Sequence, residues 1–334
     1  MSNTRVTIAD VAERAGVSVA TVSKVINGRW GVAEATSARV KGVIEELGYA
    51  SSLGARSLRS SASNIIGVLV ADVEPFSAEV LKGVSAGLRG TGYELLVYAG
   101  IDHQDRQGWE KTYVARVGGT LADGMILVTP TVASVPSEAP MVVVDPHVDA
   151  AGGDLSVVSD NEGGAVAAVQ HLVTLGHTRI GLLTGREGLV SACDREAGYR
   201  RALADAGIEV DESLIAVGRY LAEPSHESVL AMLTRADRPT AVFAANDLSA
   251  LETIRVAEEL GLKVPEDLSV VGFDDIPEAA TCDPPLTTVD QPLHAMGRAA
   301  VEVLLASIEG GEVKSPPPLA VELVVRGSTA PPRD

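Results

Sequence analysis

Short apolar runs alternate with longer amphipathic stretches through most of this chain, and this alternation constrains the fold more than any other feature. From Asn64 onward the apolar runs are 65–70, 93–99, 124–128, 141–145, 179–185, 240–246 and 268–275. Apolar residues at helical spacing fill 77–90, 162–175, 194–206, 225–235, 247–260 and 295–309. Buried strands that alternate with helices are typical of parallel sheets covered on both faces. The number of strands predicts an α/β fold of two Rossmann-like lobes with a cleft between them, rather than one sheet.

The first 63 residues differ in composition and contain no strand-like run. Residues 1–48 have the pattern of short helices, and residues 49–63 (YASSLGARSLRSSAS) are small, polar and basic, as linkers are. We therefore predict three parts, which are a helical domain at 1–48, a hinge at 49–63 and a core at 64–334. Within the core we expect an N-lobe at about 64–160 plus 291–325 and a C-lobe at about 161–290.

The charge of the chain is unevenly distributed. Its net charge is -18, but residues 1–60 hold eight Arg and Lys against five Asp and Glu, which gives +3 there and -21 elsewhere. A basic module joined to an acidic body keeps the attraction for phosphates local. A chance fluctuation in a short segment is the alternative explanation.

The helical domain has the local signals of a helix-turn-helix. Thr7 and Asp10 have the spacing of a capping box. Gly16 is placed to end the first helix, and Ser18 is placed to cap the second, at about Val19–Ile26. Apolar faces are formed by Ile8, Val11, Ala12 and Ala15, by Val22 and Ile26, and by Val40, Val43, Ile44 and Leu47. Two helices joined by a glycine turn and backed by a third predict this motif.

The outer face of the second helix favours DNA over a protein partner. It carries small or hydrogen-bonding residues, namely Val19, Ala20, Thr21, Ser23, Lys24 and Asn27. Such a face fits a DNA groove, where helix N-terminal residues reach base edges and hydroxyls hold phosphates. A protein-protein adaptor of three helices remains the alternative.

The segment TIADVAERAGVSVATVSKVING (7–28) resembles the signature of the lactose-repressor (LacI) family of bacterial regulators. The resemblance continues along most of the chain, at ELGY (46–49), ARSLRS (55–60), LGHTRIGLLTG (175–185), AND (245–247), SVVGFDD (269–275) and PPLTTVDQP (284–292). It implies a helix-turn-helix domain, a hinge helix and a periplasmic-binding-protein-like core that binds a small-molecule effector.

The resemblance also implies roles for residues in the DNA-binding domain. Val19, Ala20 and Lys24 occupy positions that read bases in the major groove, with helix packing as the alternative for Val19 and Ala20. Lys24 matches a position where many relatives use arginine, and lysine would donate to guanine without the bidentate fork. Phosphate-contacting or helix-capping positions are held by Thr7, Ser18, Thr21, Ser23 and Asn27.

In the hinge, the resemblance implies a short helix that orders on DNA. Its matching residues are Ser52 for a phosphate, Ala55 for the groove floor and Leu58 as a wedge between base steps. The usual Pro-Asn after the tyrosine is replaced here by residues 50–52, Ala-Ser-Ser, which weakens the start of the helix. A plain linker is the alternative.

Polar residues that follow the predicted strands are candidates for ligand contacts, because open α/β sheets bind ligands at the carboxyl ends of their strands. By resemblance, Arg195, Asn246 and Asp274 grip the effector. The resemblance places Phe76, Asp145, Ser191, Tyr220 and Gln291 along the cleft. Phe76 could instead belong to the core. Amide, carboxylate and guanidinium groups suit the vicinal hydroxyls of a sugar.

Other classes of function lack their sequence signals. We expect no catalytic residues, since G-x-G-x-x-G after a strand, a P-loop and G-x-S-x-G are absent. No metal-ligand spacing occurs, and no cofactor is expected. No apolar run approaches ~20 residues and no signal peptide is recognisable, which predicts a cytoplasmic protein without a membrane segment. An exported sugar-binding protein would share the core but lack residues 1–60.

The sequence therefore predicts a transcriptional regulator that binds a palindromic operator as a homodimer. We expect a repressor of carbohydrate-utilisation genes that a mono- or oligosaccharide releases from DNA. The alternative is a corepressor-dependent regulator that responds to a purine or another metabolite. The low aromatic content, 3%, argues against a purine held between two rings.

Overall fold

The computed structural model describes residues 6–26, 30–47, 63–100, 106–119, 121–150 and 155–333. The chain divides into two compact units, residues 1–63 and 64–334, and the second begins where the core is predicted to begin. Four residues with predicted DNA contacts lie outside the described residues, namely Asn27, Ser52, Ala55 and Leu58.

Three helices form the first unit: α1 (Ile8–Ala15), α2 (Val19–Ile26) and α3 (Glu34–Leu47). Their common core consists of Val11, Ala12, Ala15, Val22, Val25 and Val40. The predicted inward-facing residues Val22 and Ile26 both pack on this core, Val22 buried and Ile26 half-buried at its edge, and Val25 is buried as well. Val22 and Val25 are three residues apart, and a helix brings that spacing to one face as readily as a spacing of four.

The ends of these helices follow the predicted local signals. The Thr7 backbone N–H donates to Asp10 Oδ2 at 2.7 Å, and the Asp10 N–H donates to Thr7 Oγ1 at 3.4 Å, which completes the capping box. The bond from the Thr7 N–H and a second bond from Thr7 Oγ1 to Asp10 Oδ2 at 2.8 Å lower the pKa of Asp10. Gly16 ends α1 in the left-handed region at φ 63°, where a glycine has no Cβ penalty. At the start of α2, the Thr21 N–H donates to Ser18 Oγ at 3.1 Å.

The second unit is an α/β structure with two sheets. Its strands are β1 (Ile65–Val70), β2 (Glu94–Ala99), β3 (Gly124–Val128), β4 (Met141–Val144), β5 (Leu155–Val157), β6 (Ile180–Thr184), β7 (Ile215–Val217), β8 (Ala241–Ala244), β9 (Ser269–Asp274), β10 (Thr287–Asp290) and β11 (Glu322–Val324). Its helices are α4 (Pro75–Gly87), α5 (Trp109–Val117), α6 (Asn161–Thr174), α7 (Val190–Asp205), α8 (Ala222–Leu233), α9 (Asp247–Glu259), α10 (Pro277–Thr281) and α11 (Leu293–Ile308).

Each sheet organises one lobe. The first has the order β2-β1-β3-β4-β5, and the second has the order β11-β10-β9-β8-β6-β7. All described strand pairs are parallel except β10 with β11. Apolar cores lie on both faces of each sheet, which explains why the central strands are continuous apolar runs.

The predicted lobe boundaries need one correction. Helix α11 packs on the first sheet, as the assignment of 291–325 to the N-lobe requires. Strand β11, however, pairs with β10 in the second sheet, so 322–324 belong to the C-lobe. The antiparallel strand β11 covers the open edge of β10, and no local pattern in a three-residue strand reveals that long-range pairing. The short strands β7 and β10 were also missed.

Two glycines fix helix α4, whose first turn borders the cleft between the lobes. A Cβ on Gly83 would lie 2.3 Å from the His294 carbonyl oxygen, and one on Gly297 would lie 2.2 Å from the Val80 carbonyl oxygen. Helices α4 and α11 therefore touch backbone to backbone, which only glycine permits. Among the described helices, none is long and apolar enough to cross a membrane.

Candidate functional site

The carboxyl ends of strands from both sheets face a cleft with about 820 Å³ of empty space, a volume that includes its opening to solvent. We call it the interlobe cleft. Its lining combines charged, amide, hydroxyl and aromatic groups with aliphatic side chains. The lining residues are Ala71, Asp72, Glu74, Phe76, Ser77, Thr129, Asp145, Arg186, Leu189, Ser191, Arg195, Arg219, Tyr220, Leu221, Asn246 and Asp274.

The structure brings seven of the eight predicted effector residues into this lining, namely Phe76, Asp145, Ser191, Arg195, Tyr220, Asn246 and Asp274. The eighth, Gln291, does not line the cleft, and its predicted place there is corrected. It is buried behind Arg195, where its Oε1 accepts from Arg195 Nη2 at 2.9 Å and from Ser159 Oγ at 2.6 Å. Gln291 is therefore placed to hold Arg195 rather than a ligand.

Arg195 is the most connected side chain of the cleft. Its Nε donates to Asn161 Oδ1 at 2.9 Å, and Nη1 donates to the Ala245 carbonyl and to Asp274 Oδ1, the latter at 3.3 Å. The guanidinium carbon lies 3.7 Å from the centre of the Phe273 ring. A guanidinium has five N–H donors. With the Gln291 bond, four hydrogen bonds to described residues hold its orientation, so at least one N–H is left for a ligand.

A chain of hydrogen bonds crosses the cleft from one lobe to the other. The Ser191 N–H donates to Asp145 Oδ1 at 3.1 Å, and Ser191 Oγ donates to Asp145 Oδ2 at 2.7 Å. Tyr220 Oη lies 2.9 Å from Ser191 Oγ. Asp145 follows β4 of the N-lobe, whereas Ser191 opens α7 of the C-lobe. A carboxylate of one lobe thus caps a helix of the other.

Four charged lining residues were not predicted: Asp72, Glu74, Arg186 and Arg219. Glu74 caps α4, since its carboxylate accepts from the N–H groups of Phe76 at 2.7 Å and Ser77 at 2.8 Å. The Arg186 guanidinium donates across the cleft to the carbonyl oxygens of Thr129 and Pro130. Glu74 follows the end of β1, and Arg186 follows the end of β6. The strand-end rule could have found them had it been applied to Glu and Arg as well as to Asp and Asn.

Backbone strain concentrates at this cleft. Seven described residues other than glycine have positive φ, and five of them line the cleft: Thr129, Asp145, Arg219, Tyr220 and Asp274. Asp274 has φ 120°. Conformations of this kind are unfavourable for residues with a Cβ and cluster at ligand sites, where the surrounding fold enforces them. The strain supports a functional role for the cleft independently of any resemblance.

Burial governs the protonation of the cleft carboxyls. It raises the pKa of Asp145, Asp274 and Glu74. The positive charge of Arg195 opposes this rise in pKa at Asp145 and Asp274. Hydrogen bonds oppose it as well, from Ser191 at Asp145 and from Ser77 at Glu74. Positioned acceptors and donors thus line one cleft, which suits a ligand rich in hydroxyl groups.

Behind the cleft, Asp247 is fully buried at the start of α9. Its carboxyl group accepts from the Ile276 N–H at 2.9 Å and from Thr288 Oγ1 at 2.5 Å. Burial raises the pKa of Asp247 to about 7. It joins α9 to the loop after β9 and to β10, which is a structural role, as its helix-starting position indicates.

In the first unit, the predicted DNA-reading residues share one surface of α2. Val19, Ala20 and Lys24 are exposed, with Val19 at 42%, whereas Thr21 and Ser23 are half-buried. Val22 and Val25 turn inward on the opposite side of the helix. Ser18 Oγ lies 2.9 Å from Thr21 Oγ1, so these two hydroxyls stand together at the helix start.

Comparison with known proteins identifies the family. Residues 7–52 match the family described as bacterial regulatory proteins, lacI family, and residues 169–329 match a periplasmic binding protein-like domain. The HTH-type transcriptional repressor PurR of Aliivibrio salmonicida (strain LFI1238) is 37% identical over 316 residues, which cover 91% of this chain and 92% of the relative. The chain belongs to the LacI family. It is accordingly a helix-turn-helix transcriptional regulator whose DNA binding responds to an effector.

Solved structures of LacI-family members share the whole architecture. The lac repressor dimer bound to operator and the anti-inducer ONPF superposes with a TM-score of 0.77 at 31% identity, over 97% of this chain and 99% of that one. The complex of the transcriptional regulator CelR with cellobiose has a TM-score of 0.71 at 33% identity, over 97% of this chain and 100% of that one. The predicted fold class is confirmed by this agreement.

Proposed function

We propose that this LacI-family member is a repressor of carbohydrate-utilisation genes and that a mono- or oligosaccharide in the interlobe cleft releases it from DNA. The observation that carries the proposal is the buried guanidinium of Arg195, held by Asp274 and Gln291 in a space lined by paired carboxylates and hydroxyls. The structure of the similar regulator CelR is a complex with cellobiose, which supports a sugar as the effector class.

The chemistry of the cleft favours a neutral polyhydroxy ligand. Sugar hydroxyls both donate and accept, so they match the carboxylates of Asp274 and Glu74 as acceptors and Arg195 as a donor. Phe76 and Tyr220 line the same cleft and offer aromatic faces to the C–H side of a sugar ring. We assign the grip on hydroxyls to Arg195, Asn246 and Asp274.

For the DNA-binding unit we propose that Lys24 donates to guanine and that Val19 and Ala20 contact apolar groups in the major groove. Thr7, Ser18, Thr21 and Ser23 would hold phosphates or caps; the place of Thr7 at the start of α1 and of the other three at or on α2 supports this. Asn27 and the hinge residues Ser52, Ala55 and Leu58 keep their proposed DNA contacts, although they lie outside the described residues.

The coupling between sugar and DNA would pass through the two lobes. Asp145 with Ser191, and Arg186 with Thr129, join the lobes across the cleft, so a ligand there would change how the lobes meet. We propose a cytoplasmic homodimer on a palindromic operator, in keeping with the dimeric lac repressor complex. Effector coupling of this kind is typically about 1–3 kcal/mol.

A thermal-shift screen of monosaccharides, disaccharides and purines tests the effector class. We expect a sugar to raise the melting temperature, and Phe76→Ala to reduce that shift without unfolding the core. Tyr93→Ala, a half-buried aromatic against the same apolar cluster but outside the cleft, is the matched control and should keep the full shift. A stabilising purine with no stabilising sugar would reject the proposal in favour of the corepressor alternative.

A further inference from the structure

Trp30, between α2 and α3, is exposed to an unusual degree. Its exposed fraction is 98%, whereas the other exposed large apolar side chains of the described chain reach at most 57%. The second tryptophan, Trp109, is buried at 4%. Tryptophan buries about 200 Å² when it is covered, so a fully exposed one is a large unused contact surface.

Trp30 is close in the chain and in space to the residue that the proposed function places on the bases. The next residue, Gly31, has φ 96°, and a Cβ built on it would lie 4.0 Å from Lys24 Nζ. The ammonium group of Lys24 therefore lies next to the residue that follows Trp30. Both Trp30 and Lys24 are exposed.

We propose that Trp30 packs against the sugar–phosphate backbone of duplex DNA when α2 enters the major groove. The indole offers one N–H donor and no acceptor, and phosphate oxygens only accept, so the two are complementary. The ring would cover apolar deoxyribose surface beside that bond. The positive balance of residues 1–60 and the position of Lys24 Nζ beside Gly31, the residue after Trp30, favour DNA over an apolar protein partner.

Two consequences distinguish this contact from a charged one. An indole releases no condensed counterions, so Trp30 adds affinity without adding to the salt dependence of binding. It also touches no base edge, so it strengthens binding to every sequence alike. Duplex DNA of arbitrary sequence is therefore a sufficient probe.

Fluorescence tests the contact in the full chain. In Trp109→Phe, Trp30 is the sole tryptophan. We expect a mixed-sequence duplex of about 20 base pairs, two helical turns, to protect it from acrylamide quenching several-fold at low salt. In the matched Trp30→Phe variant, Trp109 should show no change on DNA addition. Undiminished quenching of Trp30 in the DNA-bound protein would overturn the proposal, as would protection that depends on protein concentration without DNA.

Affinity gives a second, separate readout. Trp30→Ala should weaken binding to the same duplex about tenfold. The slope of log affinity against log salt should stay unchanged, and Trp30→Phe should lose less than the alanine variant. The inference rests on the proposed role of α2, and the two fail separately. On a selected operator duplex, if Lys24→Ala weakens binding and Trp30→Ala does not, only the Trp30 contact is wrong; if neither variant weakens binding there, the α2 surface is not the DNA-binding face.

Discussion

The DNA-reading surface and the interlobe cleft present their polar groups in opposite ways. On α2, Lys24 is exposed and Val19 is 42% exposed. In the cleft, the side chains of Arg195 and Asp274 are each 4% exposed and already bonded to each other. DNA is long and charged and can be contacted over an open surface. A small effector must instead be surrounded by side chains, and these are already paired with each other before it binds.

The backbones of the two regions differ as well. The first unit follows local rules, with a capping box at Thr7 and a left-handed glycine at Gly16. The cleft breaks such rules at Asp145 and Asp274, which adopt positive φ without being glycine. The difference teaches that the helix-turn-helix unit is stabilised by local contacts, whereas the backbone of the interlobe cleft is held in place by the whole core around it.

The largest effect is expected from a substitution that breaks the hydrogen-bonded pairing of Arg195 inside the cleft. Arg195→Ala leaves Asp274 and Gln291 buried without their partner, so we expect the free energy of unfolding of the core to fall by about 3–5 kcal/mol. Arg200→Ala on the same helix removes only half-exposed ion pairs with Glu196 and Glu212 and should cost about 0–1 kcal/mol. Urea unfolding measures both, and equal losses would show that burial does not separate the two sites.

The free energy of unfolding of the core should change with pH by up to about 4 kcal/mol because of one buried carboxyl group, Asp247. The pKa of Asp247 is about 7 when folded, above its unfolded value, so the unfolded chain ionises first as pH rises. Asp247 therefore contributes stability below about pH 4, and this contribution is lost as pH rises to about 7. Asp247→Asn should flatten this part of the stability curve.

The control for this prediction is Asp149→Asn, because the Asp149 side chain is 81% exposed. We expect it to change the free energy of unfolding by less than about 0.5 kcal/mol at pH 5 and at pH 8 alike. A stability difference between the two pH values that persists in full in Asp247→Asn would contradict the assignment.

On the DNA side, Lys24→Ala should alter specificity rather than folding. We expect the preference at one base pair in each half-site to relax by about 1–3 kcal/mol, as measured by selecting bound sites from random duplexes. Uniform weakening across all sequences would make Lys24 a phosphate contact instead.

The smallest effect concerns a single helix end. Thr7→Ala removes the capping box of α1 and should cost about 1 kcal/mol. Hydrogen exchange of the α1 amides in the full chain should then accelerate about fivefold, with the core unchanged. Glu13→Gln, exposed on the same helix, is the matched control. Acceleration that spreads into the core would contradict the local character of the first unit.

These contrasts also explain what the sequence could reveal. Thr7 and Asp10, or Ser18 and Thr21, are three residues apart, so spacing alone predicted their contacts. Arg195 is paired with residues far away in the chain, so spacing could not reveal its partners.

The same resemblance could not show that Gln291 lies behind Arg195, because the depth of a side chain depends on the packing of both lobes. Strand β11 was missed for a related reason: its pairing with β10 joins segments that no local pattern connects.

The central claim is that occupancy of the interlobe cleft controls DNA binding by the first unit. Its most direct test is the affinity for a selected operator duplex at fixed salt, measured by fluorescence anisotropy with and without the sugar found in the screen. We predict that saturating sugar weakens operator binding about 5- to 150-fold. In Phe76→Ala, more sugar should be needed for the same release. An operator affinity that stays the same when a sugar fills the cleft would contradict the account.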